Sequence, residues 1–108
     1  MSGNEHIREN INYMERFNSI KNQIPERQGT YIGGEGENFY IARSEDEIYE
    51  LSPLAYYVWL LCDGKHTVDE LAHRMSNDLK TSLDEIIEPL VMALNGLCSV
   101  NLVIMKEG

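Results

Sequence analysis

The stretch that decides the fold is YELSPLAYYVWLLCDGKHTVDEL, residues 49–71. Tyr49-Glu50-Leu51 reads as the end of a strand, with Tyr49 and Leu51 on one face and Glu50 on the other. Ser52-Pro53 then starts a helix, because Ser caps orphan N–H groups and Pro at the first helical position sacrifices no hydrogen bond. That helix runs from Leu54 to Cys62 and stops at Asp63-Gly64, where glycine supplies a left-handed residue. Thr67-Val68-Asp69-Glu70 is a capping box, which starts a second helix. A strand and two helices joined by tight, self-capping connections predict a small α+β domain.

Downstream, the second helix extends to about Leu79 with Val68, Leu71, Ala72 and Met75 on one side. Ser82-Leu83-Asp84-Glu85 is a further capping box, and a third helix runs on to about Cys98. Pro89 lies inside it, removes one hydrogen bond and is expected to bend it. Asn101-Leu102-Val103-Ile104-Met105 is a β-like tail, either a fourth strand or a wing.

Upstream, Glu47-Ile48-Tyr49-Glu50-Leu51 is the last of three short strands. Thr30-Tyr31-Ile32 and Phe39-Tyr40-Ile41-Ala42 precede it, with turns over Gly33 to Asn38 and Ser44 to Asp46. Short connections make these an antiparallel meander. Residues 1–24 read as a helical extension, since Ile7, Ile11, Met14, Phe17, Ile20 and Ile24 recur at intervals of three and four. It either packs on its own domain, is loosely ordered, or serves as a dimerisation helix. Pro25 ends it and opens a polar linker to Gly29, so the division is an extension at 1–24 and a folded domain at 25–108.

The whole chain has 108 residues, 43% of them apolar, with 9 Lys and Arg against 18 Asp and Glu, a net charge of −9. The length suits one domain. A pI near 4.6 is the wrong sign for tracking phosphates, and it weakens binding to anionic membranes as well. No stretch approaches a membrane span, and the N-terminus lacks the apolar core of a signal peptide, so a cytoplasmic location is expected.

The residues offer little to catalysis. Cys62 and Cys98 have no metal-ligand spacing, and each sits in an apolar run where cysteine acts as a small hydrophobe. His6, His66 and His73 are scattered, so no metal or cofactor is expected. Gly33, Gly34 and Gly36 lack the spacing and the lysine of a phosphate loop, and Glu35 and Glu37 would repel a phosphate. No nucleophile is matched to a poised acid and base. An enzyme is not expected.

The third helix is wider in its apolar surface than a core helix needs. At ~100° per residue, the stripe from Ile86 through Leu97, Leu90, Leu83, Leu94 and Ile87 to Cys98 and Val91 spans roughly 140°, against about 100° for a helix facing a core. Either the N-terminal helix or the tail covers the excess, or it lines a groove. Ile87, Val91 and Cys98, with Asn95 just beyond, mark that groove's edge.

The run from Tyr49 to Leu71 resembles the PqqD family, small peptide chaperones of pyrroloquinoline quinone biosynthesis and prototypes of the recognition elements for ribosomally made, modified peptides. The features are a strand ending in Leu51, Trp59 and Leu61 ahead of Asp63-Gly64, and Thr67-Val68 with Glu70-Leu71 opening the next helix. Leu90, Leu94, Leu97 and Asn101-Leu102 fit the family's last helix and its exit, and the likeness covers roughly residues 29–103. It implies a winged-helix-like fold, a three-stranded antiparallel sheet with a three-helix bundle. It also implies a non-enzymatic adaptor that takes the leader of a precursor peptide as an added strand and presents it to a modifying enzyme such as a radical SAM protein. By position, the edge strand would be Glu47, Ile48, Tyr49, Glu50 and Leu51. The groove wall would be Ile87, Val91, Leu94, Asn95 and Cys98. The chain departs from the family in its N-terminal helix, in Pro89, and in Asn101 where the family has glycine.

Two alternatives belong to other classes: a winged helix-turn-helix DNA-binding regulator dimerised by the N-terminal helix, and a structural assembly subunit. Against the first, the third helix bears Asp84, Glu85 and Glu88 and no Lys or Arg. The expected partners are therefore a precursor peptide and its modifying enzyme, with a homodimer through the N-terminal helix as a further option, and neither nucleic acid nor membrane. Glu45, Asp46, Glu47 and Glu50 beside the edge strand favour basic or neutral ligand segments.

Overall fold

The computed structural model describes residues 13–108. Helix α1, described over 13–20, leads into β1 (Ile24–Arg27), β2 (Thr30–Glu35), β3 (Asn38–Ala42) and β4 (Ile48–Leu51). Helices α2 (Pro53–Leu61), α3 (Val68–Leu79) and α4 (Leu83–Ser99) follow, and β5 (Val103–Lys106) closes the chain. The architecture is α+β, with the meander β2-β3-β4 as one antiparallel sheet and β1-β5 as a second.

The helix ends explain why the 49–71 segment reads so clearly. Ser52 accepts the Ala55 N–H with Pro53 at the start of α2. Thr67 and Glu70 form the complete reciprocal box at α3. Gly64 takes φ +75°, a left-handed conformation that favours glycine, and a Cβ there would push aside the Glu26 carboxylate. At α4 the box is incomplete. Ser82 makes no side-chain capping bond; instead the Thr81 hydroxyl donates to Glu85 at 2.7 Å. Glu85 is thus drawn to the residue before the cap.

Ile24–Arg27 is a strand, where the sequence reading ends a helix and begins a linker. Pro25 is tolerated because the ladder does not need its N–H. The Gln28 N–H donates to Leu102, and by antiparallel alternation the Pro25 backbone faces away from β5. On that far side the Pro25 carbonyl accepts the Gly64 N–H at 3.0 Å and the Arg27 N–H donates to Cys62 at 2.8 Å. The β-like tail accordingly pairs with β1 and not with the meander. The glycine-rich turn is also tighter than expected. β2 runs through Gly33 and Gly34 to Glu35, its register shifting between Tyr31 and Gly33, and Gly36-Glu37 alone makes the turn. A bulge at Ile32 and Gly33 (φ +136°) absorbs the extra residue.

One core joins α1, β3, β4, the three later helices and β5, while β2 adds no buried residue to it. Phe17 and Ile20 of α1 pack with Val58, Trp59, Leu71, Met75, Leu90, Leu94 and Leu102. Met14 is exposed, and Ile7 and Ile11 lie outside the described residues. A row of rings ties the meander to α2. Phe39 stacks on Tyr56 at 4.2 Å, Tyr31 lies 5.3 Å from Tyr56, and Trp59 continues the row. Trp59 is locked in turn: its Nε1–H donates to the Gln28 carbonyl at 3.0 Å, and Arg27 sits over its ring.

Candidate functional site

β4 is one of the two outer strands of the meander, and among the described residues no strand lies beyond it. Its register is Ala42 to Ile48, Ile41 to Tyr49, Tyr40 to Glu50 and Phe39 to Leu51. The Arg43 N–H donates to the Glu47 carbonyl at 2.8 Å. Antiparallel alternation then turns the amides and carbonyls of Tyr49 and Leu51 toward β3, and those of Ile48 and Glu50 toward the open edge. The side chains divide the other way. Tyr49 and Leu51 face the helices, half-buried and buried, while Ile48 and Glu50 are exposed on the opposite face.

Between β4, α2 and the flank of α4 lies a groove of about 320 Å³, lined by Tyr49, Leu51 and Ala55 on one side and Ala93, Gly96 and Val100 on the other. A second hollow of about 270 Å³ shares Ala55, Met92 and Ala93 and extends the trough to Ser52, Leu54 and Pro89. The trough exists because α4 presents small side chains there. A Cβ at Gly96 would meet nothing within 4 Å, and Ala93 lies one turn away on the same face. Met92, 52% exposed, overhangs the rim.

Of the residues singled out from the sequence, the structure brings Tyr49 and Leu51 to this trough, places Glu50 at its margin, and leaves Glu47 and Ile48 on the adjoining edge. The α4 residues sit elsewhere. Ile87, Val91 and Leu94 are buried in the core at 6%, 0% and 1% exposure. Asn95 lines a hollow with Tyr13, Arg16 and Ser19 of α1, and Cys98 is half-buried. Helix α1 packs beside that flank and leaves Asn95 exposed in a hollow of about 460 Å³, and the trough beside β4 lies roughly half a turn round the helix at ~100° per residue. Met92, Ala93, Gly96 and Val100 escaped the sequence reading because a hydrophobic stripe is drawn through bulky residues. The available signal was Gly96 itself, since glycine inside a helix costs about 1 kcal/mol against alanine and needs a reason.

Charge is distributed unevenly around the edge. Arg43 pairs with Glu47 at 3.2 Å, and the Tyr49 hydroxyl donates to the same carboxylate. Among the described residues no cation pairs with Glu45, Asp46 or Glu50. The Tyr40 hydroxyl is held above its ordinary pKa, first by desolvation and then by the charges of Glu50 and Glu35. Burial pushes the Cys62 thiol up to about 12 and raises Cys98 too, so both stay protonated at neutral pH. Among the described residues no three His, Cys, Asp or Glu side chains gather into a metal-binding group, and no helix is long and apolar enough to cross a membrane.

Fold and site together define a small α+β domain whose free sheet edge borders an apolar trough. The family model for coenzyme PQQ synthesis protein D (PqqD) matches residues 36–103, more than half of the chain. The chain belongs to the PqqD family. The match begins at the Gly36 turn and takes in β3, β4, all of α2 to α4 and the first residue of β5, leaving α1, β1 and β2 outside it. No curated protein and no solved structure gave a significant match.

Proposed function

We propose that this protein is a non-enzymatic peptide-binding adaptor. It takes the leader of a ribosomally made precursor as an extra strand on β4 and presents it to a modifying enzyme, such as a radical SAM protein. The observation that carries this reading is the outward-facing backbone of Ile48 and Glu50 beside the apolar trough on α4. Family membership supports an accessory role in biosynthesis of this kind. The nucleic-acid alternative gains nothing from α4, which bears Asp84, Glu85 and Glu88 and no Lys or Arg.

Magnitudes assign the division of labour. Two outward residues offer at most four main-chain hydrogen bonds, each worth about 0.5–1.5 kcal/mol net. Association costs on the order of 4–15 kcal/mol, so backbone pairing alone gives weak binding. Apolar side chains entering the trough supply the remainder at about 25 cal/mol per Å² buried. The ligand's alternate side chains reach the trough, and its main chain holds the edge.

The test is an amide chemical-shift titration of the full chain with the leader of a short precursor encoded beside its gene. Shifts are expected at Glu47 to Leu51 and at Met92, Ala93, Gly96 and Val100. Gly96→Phe should fill the trough and abolish them while leaving the rest of the spectrum folded. Shifts confined to the Asn95 and Cys98 flank, or none with any neighbouring peptide, would overturn the proposal.

A further inference from the structure

The trough and the edge together restrict what sequence fits. In a strand paired to β4, residues facing Tyr49 and Leu51 turn toward the helices, and residues facing Ile48 and Glu50 turn to the exposed side of the sheet. The first set meets Ala55, Ala93, Gly96 and Val100 and must be apolar. The second set meets Ile48, 54% exposed, and Glu50, an exposed carboxylate with no cation paired to it among the described residues. Like charges directly opposite across a strand pair repel, and opposite charges attract. The loop entering β4 adds Glu45 and Asp46, both exposed, while Arg43 is spent on Glu47. Four carboxylates thus stand against one guanidinium along this edge.

We infer that the segment captured here is a cationic strand, alternating apolar residues that enter the trough with a Lys or Arg at the position facing Glu50. The inference rests on the peptide-capture reading above and adds to it the ligand's charge and pattern. Glu50 is a specificity-determining residue in this scheme: it discriminates among extended peptides that the trough alone would accept alike. A second copy of the chain is a poor occupant, because pairing two β4 edges brings two acidic strands together.

The experiment uses three short blocked peptides with valine at alternate positions and Lys, Thr or Glu between them. Each is titrated into the full chain and into Glu50→Lys and Glu50→Gln. The Lys peptide should bind the native chain roughly tenfold more tightly than the Glu peptide at about 50 mM salt, with the gap narrowing at about 300 mM. Glu50→Gln should shrink the preference, and Glu50→Lys should reverse it. Equal binding of all three at β4, or an order insensitive to both variants, overturns the charge inference and leaves the adaptor reading standing. No shift at β4 or the trough with any of them overturns both. Concentration-dependent protection of the Ile48 and Glu50 amides without peptide would assign the edge to a second copy and overturn it likewise.

Discussion

The two flanks of α4 both lack charged side chains at these positions and are opposite in fate. On one, Ile87, Val91 and Leu94 are sealed in the core, and the neighbouring Asn95 is exposed in a hollow beside α1. On the other, Met92, Ala93, Gly96 and Val100 face β4 across an open trough. An apolar stripe records how much helix surface avoids water, but not which element arrives to cover it. The uncovered flank is distinguished by small side chains, and it adjoins β4, which has a free side among the described residues.

The strongest way to break this contrast is to truncate one residue on each flank. Leu94→Ala should cost about 2–5 kcal/mol in urea unfolding, as for other buried leucines. Met92→Ala should stay within about 0.5 kcal/mol yet weaken peptide binding. Equal costs would mean that both flanks are packed alike. A smaller effect of opposite sign comes from Gly96→Ala. Since a Cβ there meets nothing within 4 Å, relief of the helical glycine should stabilise the fold by about 0.5–1 kcal/mol. A loss of stability would show that the trough is occupied by the protein's own packing.

The parts of the fold legible in the sequence are those set by local chemistry. Ser52-Pro53, Thr67 with Glu70, and Gly64 each announce a boundary through a hydrogen bond or a dihedral that neighbours in sequence determine. Asn101, standing where the family has glycine, takes φ +59°, a left-handed conformation that asparagine tolerates. The misread parts depend on distant partners. Pro25 looks like a stop until Gly64 and Cys62 take up the far side of its strand. The Ser82 box is the local exception: it reads as complete, yet the adjacent Thr81 claims Glu85. At the candidate site the same division holds. β4 was legible from its alternation and its turn, whereas the trough on α4 depends on where α1 lies, which no periodicity in α4 contains.

The central claim is that the outward amides of β4 receive a strand. Amide hydrogen exchange, residue by residue, with and without a saturating leader peptide, measures this most directly. Exchange at Ile48 and Glu50 should slow by roughly tenfold or more on binding, with Tyr49 and Leu51, already bonded to β3, changing far less. Binding that leaves Ile48 and Glu50 exchanging as fast as in the free protein would contradict strand addition at this edge.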